Sequence, residues 1–112
     1  MLIAVPVAGG RLTPHFGRCE EFALVEVEPE SRTVGEVRLE TPPPHAPGTL
    51  PQWLVEQGVD LVLAGGMGPA ARQMLEAAGV QVILGLAPAA PAELARAWLA
   101  DELALGDNAC DH

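Results

Sequence analysis

Arg11, His15, Arg18 and Cys19 lie in one stretch of this chain, Ala8–Glu21; His45 follows in a run of prolines, and Arg72 stands just after Gly65-Gly66-Met67-Gly68-Pro69. These are the residues best suited to chemistry on a metal or an anion. Imidazole and thiolate ligate borderline and soft metals. A guanidinium presents a fork of donors to an anion. Each residue also has a plain reading. A loop histidine is usually a surface residue, a single cysteine beside a strand is usually small and buried, and a glycine run permits close helix–strand packing. Their weight comes from convergence, which depends on the elements that position them.

Leu2–Val7 is a continuous apolar run suited to a central strand buried on both faces. Phe22–Glu28 and Thr33–Glu40 flank the turn Pro29-Glu30-Ser31-Arg32 as a hairpin. Thr33–Glu40 alternates, which predicts Val37 and Leu39 inward with Glu36, Arg38 and Glu40 outward. Thr41–Gly48 carries Pro42-Pro43-Pro44 and Pro47 and reads as an extended loop. Thr49-Leu50-Pro51-Gln52 has the pattern of a capping box opening a helix that buries Leu50, Trp53 and Leu54 and ends at Gly58. Asp60–Ala64 is a fourth strand. A second helix follows Gly65–Pro69 with Ala70, Ala71, Met74, Leu75 and Ala78 as its expected buried stripe. Val80–Leu84 is a fifth strand, and Ala92 to about Leu103 a third helix with Leu94 and Trp98 one turn apart.

Hairpin and crossover rules then set the directions. The second strand runs antiparallel to the other four, and the most apolar strands take the centre, giving sheet order 3-2-1-4-5. That is the order of a ribonuclease H-like three-layer α/β fold, with a five-stranded mixed sheet and three helices. Residues 1–105 form one domain and 106–112 a tail. The loop Ala8–Glu21, the proline loop, the Gly65–Pro69 turn and the Gly85–Pro91 turn all fall at one edge, beyond the carboxyl ends of the parallel strands, where open α/β sheets bind ligands. All three helices start at this edge, so their unpaired N–H groups face it. The two long loops, rich in Gly and Pro and poor in large apolar anchors, are expected to be its mobile parts.

Composition narrows the function classes. Among 112 residues there are 15 acids, six arginines and no lysine, for a formal charge of −9. Nucleic acid and anionic membrane are bound through basic patches and are excluded as main partners. No apolar run approaches the roughly 18 residues of a membrane span. Two cysteines, Cys19 and Cys110, make no disulfide framework and suit a cytoplasmic chain with free thiols. Gly66-Met67-Gly68-Pro69-Ala70-Ala71 matches G-x-G-x-x-A, but the acid such a dinucleotide site needs about 20 residues on is missing. Leu2–Val7 carries no carboxylate for a two-metal nuclease. No nucleophile–base–acid set stands out, and the chain reads as a non-enzyme.

Several segments together resemble a known family: MLIAVPV at the start, Thr13-Pro14-His15-Phe16-Gly17-Arg18, Leu50-Pro51-Gln52-Trp53-Leu54 with Gly58-Val59-Asp60, Ala64-Gly65-Gly66-Met67-Gly68-Pro69, and Cys110-Asp111-His112. The combination is similar to the dinitrogenase iron–molybdenum cofactor biosynthesis family and spans almost the whole chain. The resemblance implies a ribonuclease H-like fold. It also implies kinship with carriers of nitrogenase cofactor precursors and with a small orange protein that holds a molybdenum–copper sulfide cluster. His15, Phe16 and Gly17 match the family's histidine loop, and Gly65–Pro69 its glycine turn. Relatives often place several histidines before the first helix, where this chain has only His45.

The expectation is therefore a protein that binds or carries a preassembled anionic metal–sulfur cluster, containing molybdenum with copper or iron, and passes it to protein partners. Arg11, His15, Phe16, Gly17, Arg18, His45, Gly65, Gly66, Met67, Gly68 and Arg72 are the candidate contacts, with His15, Cys19 and His45 as candidate metal ligands. The alternative is a small regulatory or interaction domain that binds a phosphorylated metabolite or a protein at the same edge.

Overall fold

The computed structural model describes residues 1–13, 16, 19–43 and 49–102. The elements run β1 (Leu2–Ala8), β2 (Arg11–Leu12), β3 (Glu21–Glu28), β4 (Thr33–Glu40), α1 (Thr49–Glu56), β5 (Leu61–Leu63), α2 (Pro69–Ala77), β6 (Gln81–Ile83) and α3 (Pro91–Leu99). The fold is a mixed α/β one with three helices and a mixed sheet. The sheet has six strands instead of the expected five, in the order β4-β3-β1-β5-β6, with β2 paired to β1 off this path. Numbered along the chain, that order differs from 3-2-1-4-5 because the two-residue β2 was not foreseen; the five longer segments keep their expected neighbours. β3 runs antiparallel to β1 and β4, β2 is also antiparallel to β1, and β5 and β6 are parallel to it.

Alternation along the strands divides the core in two. Leu2 and Ala4, Phe22 and Leu24, and Val62 and Ala64 pack with Leu50 and Leu54 of α1 and Leu75 of α2. Ile3, Val5 and Val7, Ala23 and Val25, and Leu61 and Leu63 pack with Leu94 and Ala95 of α3. The sheet therefore lies between α1 and α2 on one side and α3 on the other, and its central strands are apolar throughout because both faces are covered.

A proline inside a central strand is unusual, since it has no N–H for the ladder. Pro6 of β1 is buried, and the β1–β5 pairing stops before it, at Ala4↔Val62. Beyond Pro6 the neighbour of β1 becomes β2, through Val7↔Leu12 and Ala8↔Arg11. The Pro6 carbonyl accepts the Thr13 N–H at 3.0 Å, so the proline's remaining polar group is satisfied by the loop rather than by β5.

Three expectations are corrected, two of burial and one of capping. Val37 and Leu39 are 40% and 54% exposed. Of β4 only Val34 is packed against the cluster that α3 covers, alongside Trp98 and Leu99 of that helix. In α2 only Leu75 is buried, while Met74 is 43% exposed. That helix packs beside α1 and over the three-residue strand β6, so a single line of its side chains meets the core. The capping box is not formed, since Thr49 is already helical and makes no side-chain hydrogen bond among the described residues.

Leu63→Ala, which empties space in the core, should cost about 2–5 kcal/mol. Leu39→Ala, despite its place in an apolar-alternating strand, should stay within about 0.5 kcal/mol. Urea unfolding of both variants, at a concentration where the chain is monomeric, checks the assignment; similar losses would show that the exposed face of β4 is covered within one chain.

Candidate functional site

The carboxyl ends of β1, β5 and β6 and the starts of α1, α2 and α3 bound one edge of the sheet. Backbone hydrogen bonds tie its loops together. Leu12 N–H donates to Ala89 O at 3.0 Å, linking β2 to the segment before α3, and Phe16 N–H donates to Gly66 O at 3.3 Å. Gly85 N–H donates to Gly65 O at 2.9 Å, and Leu86 N–H to Ala64 O at 3.3 Å. Across the mouth of the first loop, Glu20 N–H donates to Val7 O and its carboxylate accepts the Gly9 N–H at 2.9 Å.

The first loop does hold large apolar anchors, contrary to expectation. Leu12 is 2% exposed, and Phe16 is 5% exposed. The Phe16 ring meets Phe22 edge-on with centroids 5.5 Å apart, and Phe22 in turn leans on Trp53 at 5.7 Å. Candidate contact Phe16 thus belongs to the core beneath the edge and fixes the loop against the glycine turn. Its backbone bond to Gly66 and its ring contact act together.

Gly65, Gly66 and Met67 are buried, and Gly68 is exposed at the N-cap of α2. Among the described residues the N–H groups of Gly65 and Gly66 have no hydrogen-bond acceptor. A buried donor without a partner costs about 1–3 kcal/mol. Neither α2 nor α3 has a side-chain cap; each begins with proline after a residue in extended conformation, Gly68 and Ala90. The missing proline N–H is harmless at that position, and the N–H groups of the following turn remain directed at the edge. Together these groups form a backbone donor surface suited to an anion.

The charged side chains are placed less simply. Arg11 is exposed on β2 and makes no ion pair among the described residues. Arg72 is exposed in the second turn of α2 and pairs with Glu76 at 3.6 Å, one helical turn away. That pairing divides its charge between the helix surface and the edge. Candidates His15, Gly17, Arg18 and His45 lie outside the described residues, as do Cys110, Asp111 and His112. Among the described residues no three His, Cys, Asp or Glu side chains converge to hold a metal ion.

Cys19 packs half-buried against the cluster that holds Phe16 and Met67. Burial pushes its thiol up to about 11, against a smaller downward pull from a backbone hydrogen bond. A thiol must lose its proton to ligate a metal, so in this state Cys19 is a reluctant ligand. What the sequence reading overlooked was the strap made by Pro6, Leu12, Thr13 and Ala89. Its signal was legible: a proline in the middle of an otherwise ideal buried strand, followed by a leucine in a glycine-rich loop.

Residues 1–101 match the family model described as dinitrogenase iron–molybdenum cofactor. The chain is 35% identical over 85 residues to an uncharacterized protein of Methanocaldococcus jannaschii, covering 73% of this chain and 72% of that one. The crystal structure of the protein designated PH0822 is similar with a TM-score of 0.85 and 25% identity, over 94% of each chain. The apo form of the orange protein of Desulfovibrio gigas is similar with a TM-score of 0.75 and 25% identity, over 96% of this chain and 93% of that one. No helix among the described residues is long and apolar enough to cross a membrane.

Cys19 supplies a direct test of this packing. In a Cys110→Ser background, its reaction with a disulfide reagent at pH 8 should be far slower than that of a free thiol and should climb as pH approaches about 11. The neutral thiol is favoured by the fold, so its stabilising contribution is complete below the ordinary thiol value of 9.0 and is lost as pH rises toward about 11. Cys19→Ala should flatten that alkaline loss in pH-dependent unfolding. A fast, pH-independent reaction would contradict the packing.

Proposed function

The chain belongs to the dinitrogenase iron–molybdenum cofactor family, and from that premise we propose that it binds and carries a preassembled anionic metal–sulfur cluster at the loop edge of its sheet. The cluster is cargo, taken up and released whole, and the chain acts as a binding protein without catalytic residues of its own. The observation that carries this reading is the pair of buried N–H groups at Gly65 and Gly66 that lack an acceptor among the described residues, beside two helix starts without side-chain caps. An anion placed there would satisfy donors that the fold leaves open and would meet the positive ends of α2 and α3.

Charge explains why the site must be local. The chain carries a formal charge of −9, so an anion is repelled at a distance and held only by close donors. Arg11 and Arg72 add guanidinium donors beside the same edge, and Arg18, His15 and His45, which lie outside the described residues, are the further donor and candidate ligands in this reading. Phe16 and Met67 give the floor beneath the glycine turn an apolar, polarizable character that suits sulfide. A molybdenum–copper or molybdenum–iron sulfide is the cargo class that fits these residues together with the family. Protein partners would supply and receive it.

Anaerobic titration with tetrathiomolybdate and copper(I), followed by visible absorbance and metal analysis, tests the reading. Stoichiometric uptake with a new absorption band is expected; a chain that stays colourless and instead binds nucleotides would overturn it. Hydrogen bonds to charged groups contribute roughly 1.5–3 kcal/mol each. Replacing Arg18 and Arg72 together by Gln should therefore weaken uptake at least tenfold, at ~1.4 kcal/mol per factor of ten. Arg32→Gln and Arg96→Gln should have little effect. Glu76→Gln, which frees Arg72 from its ion pair, should strengthen uptake.

A further inference from the structure

We propose that the free edge of β4 is a self-association surface, on which a second copy of this chain pairs antiparallel about Leu39. Almost the whole strand is solvent-exposed, and its two central apolar side chains, Val37 and Leu39, are 40% and 54% exposed. The backbone at this edge can be assigned from the ladder. Met1 and Val27 exchange hydrogen bonds, each N–H donating to the other's carbonyl. Alternation along β3 then turns the polar groups of Val25 and Ala23 toward β1 and those of Leu24 and Phe22 toward β4. Arg38 and Glu40, opposite Leu24 and Phe22, bond inward. Val37 and Leu39 consequently present their N–H and C=O groups outward, on a strand that has no outer neighbour among the described residues.

An exposed edge recruits another strand unless its side chains oppose the pairing. Here the charges Glu36, Arg38 and Glu40 recur at every second position and select the register. A two-fold axis through Arg38 would set Arg38 against Arg38 and Glu36 against Glu40, like charge against like. An axis through Leu39 sets Arg38 against Glu40 of the second copy, twice by symmetry, at a position where the backbones come closest. Leu39 then exchanges both backbone hydrogen bonds with its counterpart, and Val37 does so with Thr41. An axis through Val37 also matches opposite charges, but its pairing must run through the irregularity between the partners of Val25 and Val27. The register about Leu39 uses only the regular part of the strand. With integer registers both α3 faces lie on the same side, so the four exposed apolar side chains join in one patch.

A second apolar surface among the described residues is the groove between α1 and α2, lined by Pro51, Gln52, Val55, Met74 and Ala78. It has no comparable self-complementary charge pattern and serves as the control. Sedimentation equilibrium of the full chain over a concentration series is the test, at about 0.15 M salt, where screening over roughly 8 Å removes most repulsion between two acidic bodies. Reversible dimerisation is expected. Arg38→Glu should weaken it about tenfold, since two cross-strand pairs turn repulsive together. The exchange Arg38→Glu with Glu40→Arg restores opposite charges in the same register and should return association to within about threefold of wild type. Leu39→Lys should abolish association, and Met74→Glu should leave it unchanged. Thermal melts establish that each variant is folded. A chain that stays monomeric up to its solubility limit, a dimer indifferent to Arg38→Glu, or one lost in Met74→Glu would overturn the proposal.

Discussion

The arrangement of the site edge follows from Pro6. In a strand buried on both faces every backbone group needs a partner, and Pro6 cannot donate. The ladder between β1 and β5 therefore ends at Ala4↔Val62, and the last turns of β1 take their partner from the chain that follows. β2, two residues long, folds back onto Val7 and Ala8, and Thr13 caps the Pro6 carbonyl. That local exchange of neighbours separates the upper ends of β1 and β5. It also leaves Phe16 beside the glycine turn before α2, where its N–H is held to Gly66 O.

From this constraint the chemistry of the edge can be followed. The strap consumes loop acceptors and donors in a defined order: Leu12 to Ala89, Thr13 to Pro6, Phe16 to Gly66, Glu20 to Val7. What it leaves over is a concentration of N–H groups at Gly65, Gly66 and the first turns of α2 and α3. Proline at the first position of both helices and the absence of Ser, Thr, Asp or Asn caps keep those donors uncommitted. The body of the protein is acidic, so in the proposed function specificity for an anion would rest on directed backbone donors and a few arginines rather than on a broad positive field. The Arg72–Glu76 pair tempers the arginine contribution and leaves the backbone as the fixed part of the site.

Much of this was legible in the sequence because strong hydrophobic patterns have few solutions. Leu2–Val7 and Leu61–Ala64 could only be central strands, and the prolines and glycines at Pro51, Gly58, Pro69 and Gly79 marked the helix limits. The failures share a cause: periodicity reports which side chains lie on one face, not whether anything covers that face. Val37 and Leu39 alternate correctly yet stand in solvent, and of this strand only Val34 is packed against the cluster that α3 covers. Met74 stands beside Leu75 in the expected stripe but lines the open groove between α1 and α2 instead of entering the core. β2 escaped notice because two residues carry no period at all; only the chemistry of Pro6 announced that β1 would need another neighbour. Of the candidate site, the glycine turn and helix starts were readable from residue type, whereas the engagement of Arg72 and the burial of Phe16 depended on tertiary neighbours.

The central claim is that the open backbone donors of the glycine turn receive an anionic cluster. Amide chemical shifts of the uniformly labelled chain, followed while tetrathiomolybdate is added without air, address it atom by atom. The largest shifts are expected at the N–H groups of Gly65, Gly66, Ala70 and Ala71, with Asp60, Glu28 and Arg32 at the opposite edge unmoved. Shifts concentrated at the opposite edge, or none at Gly65 and Gly66 while the anion binds, would contradict it.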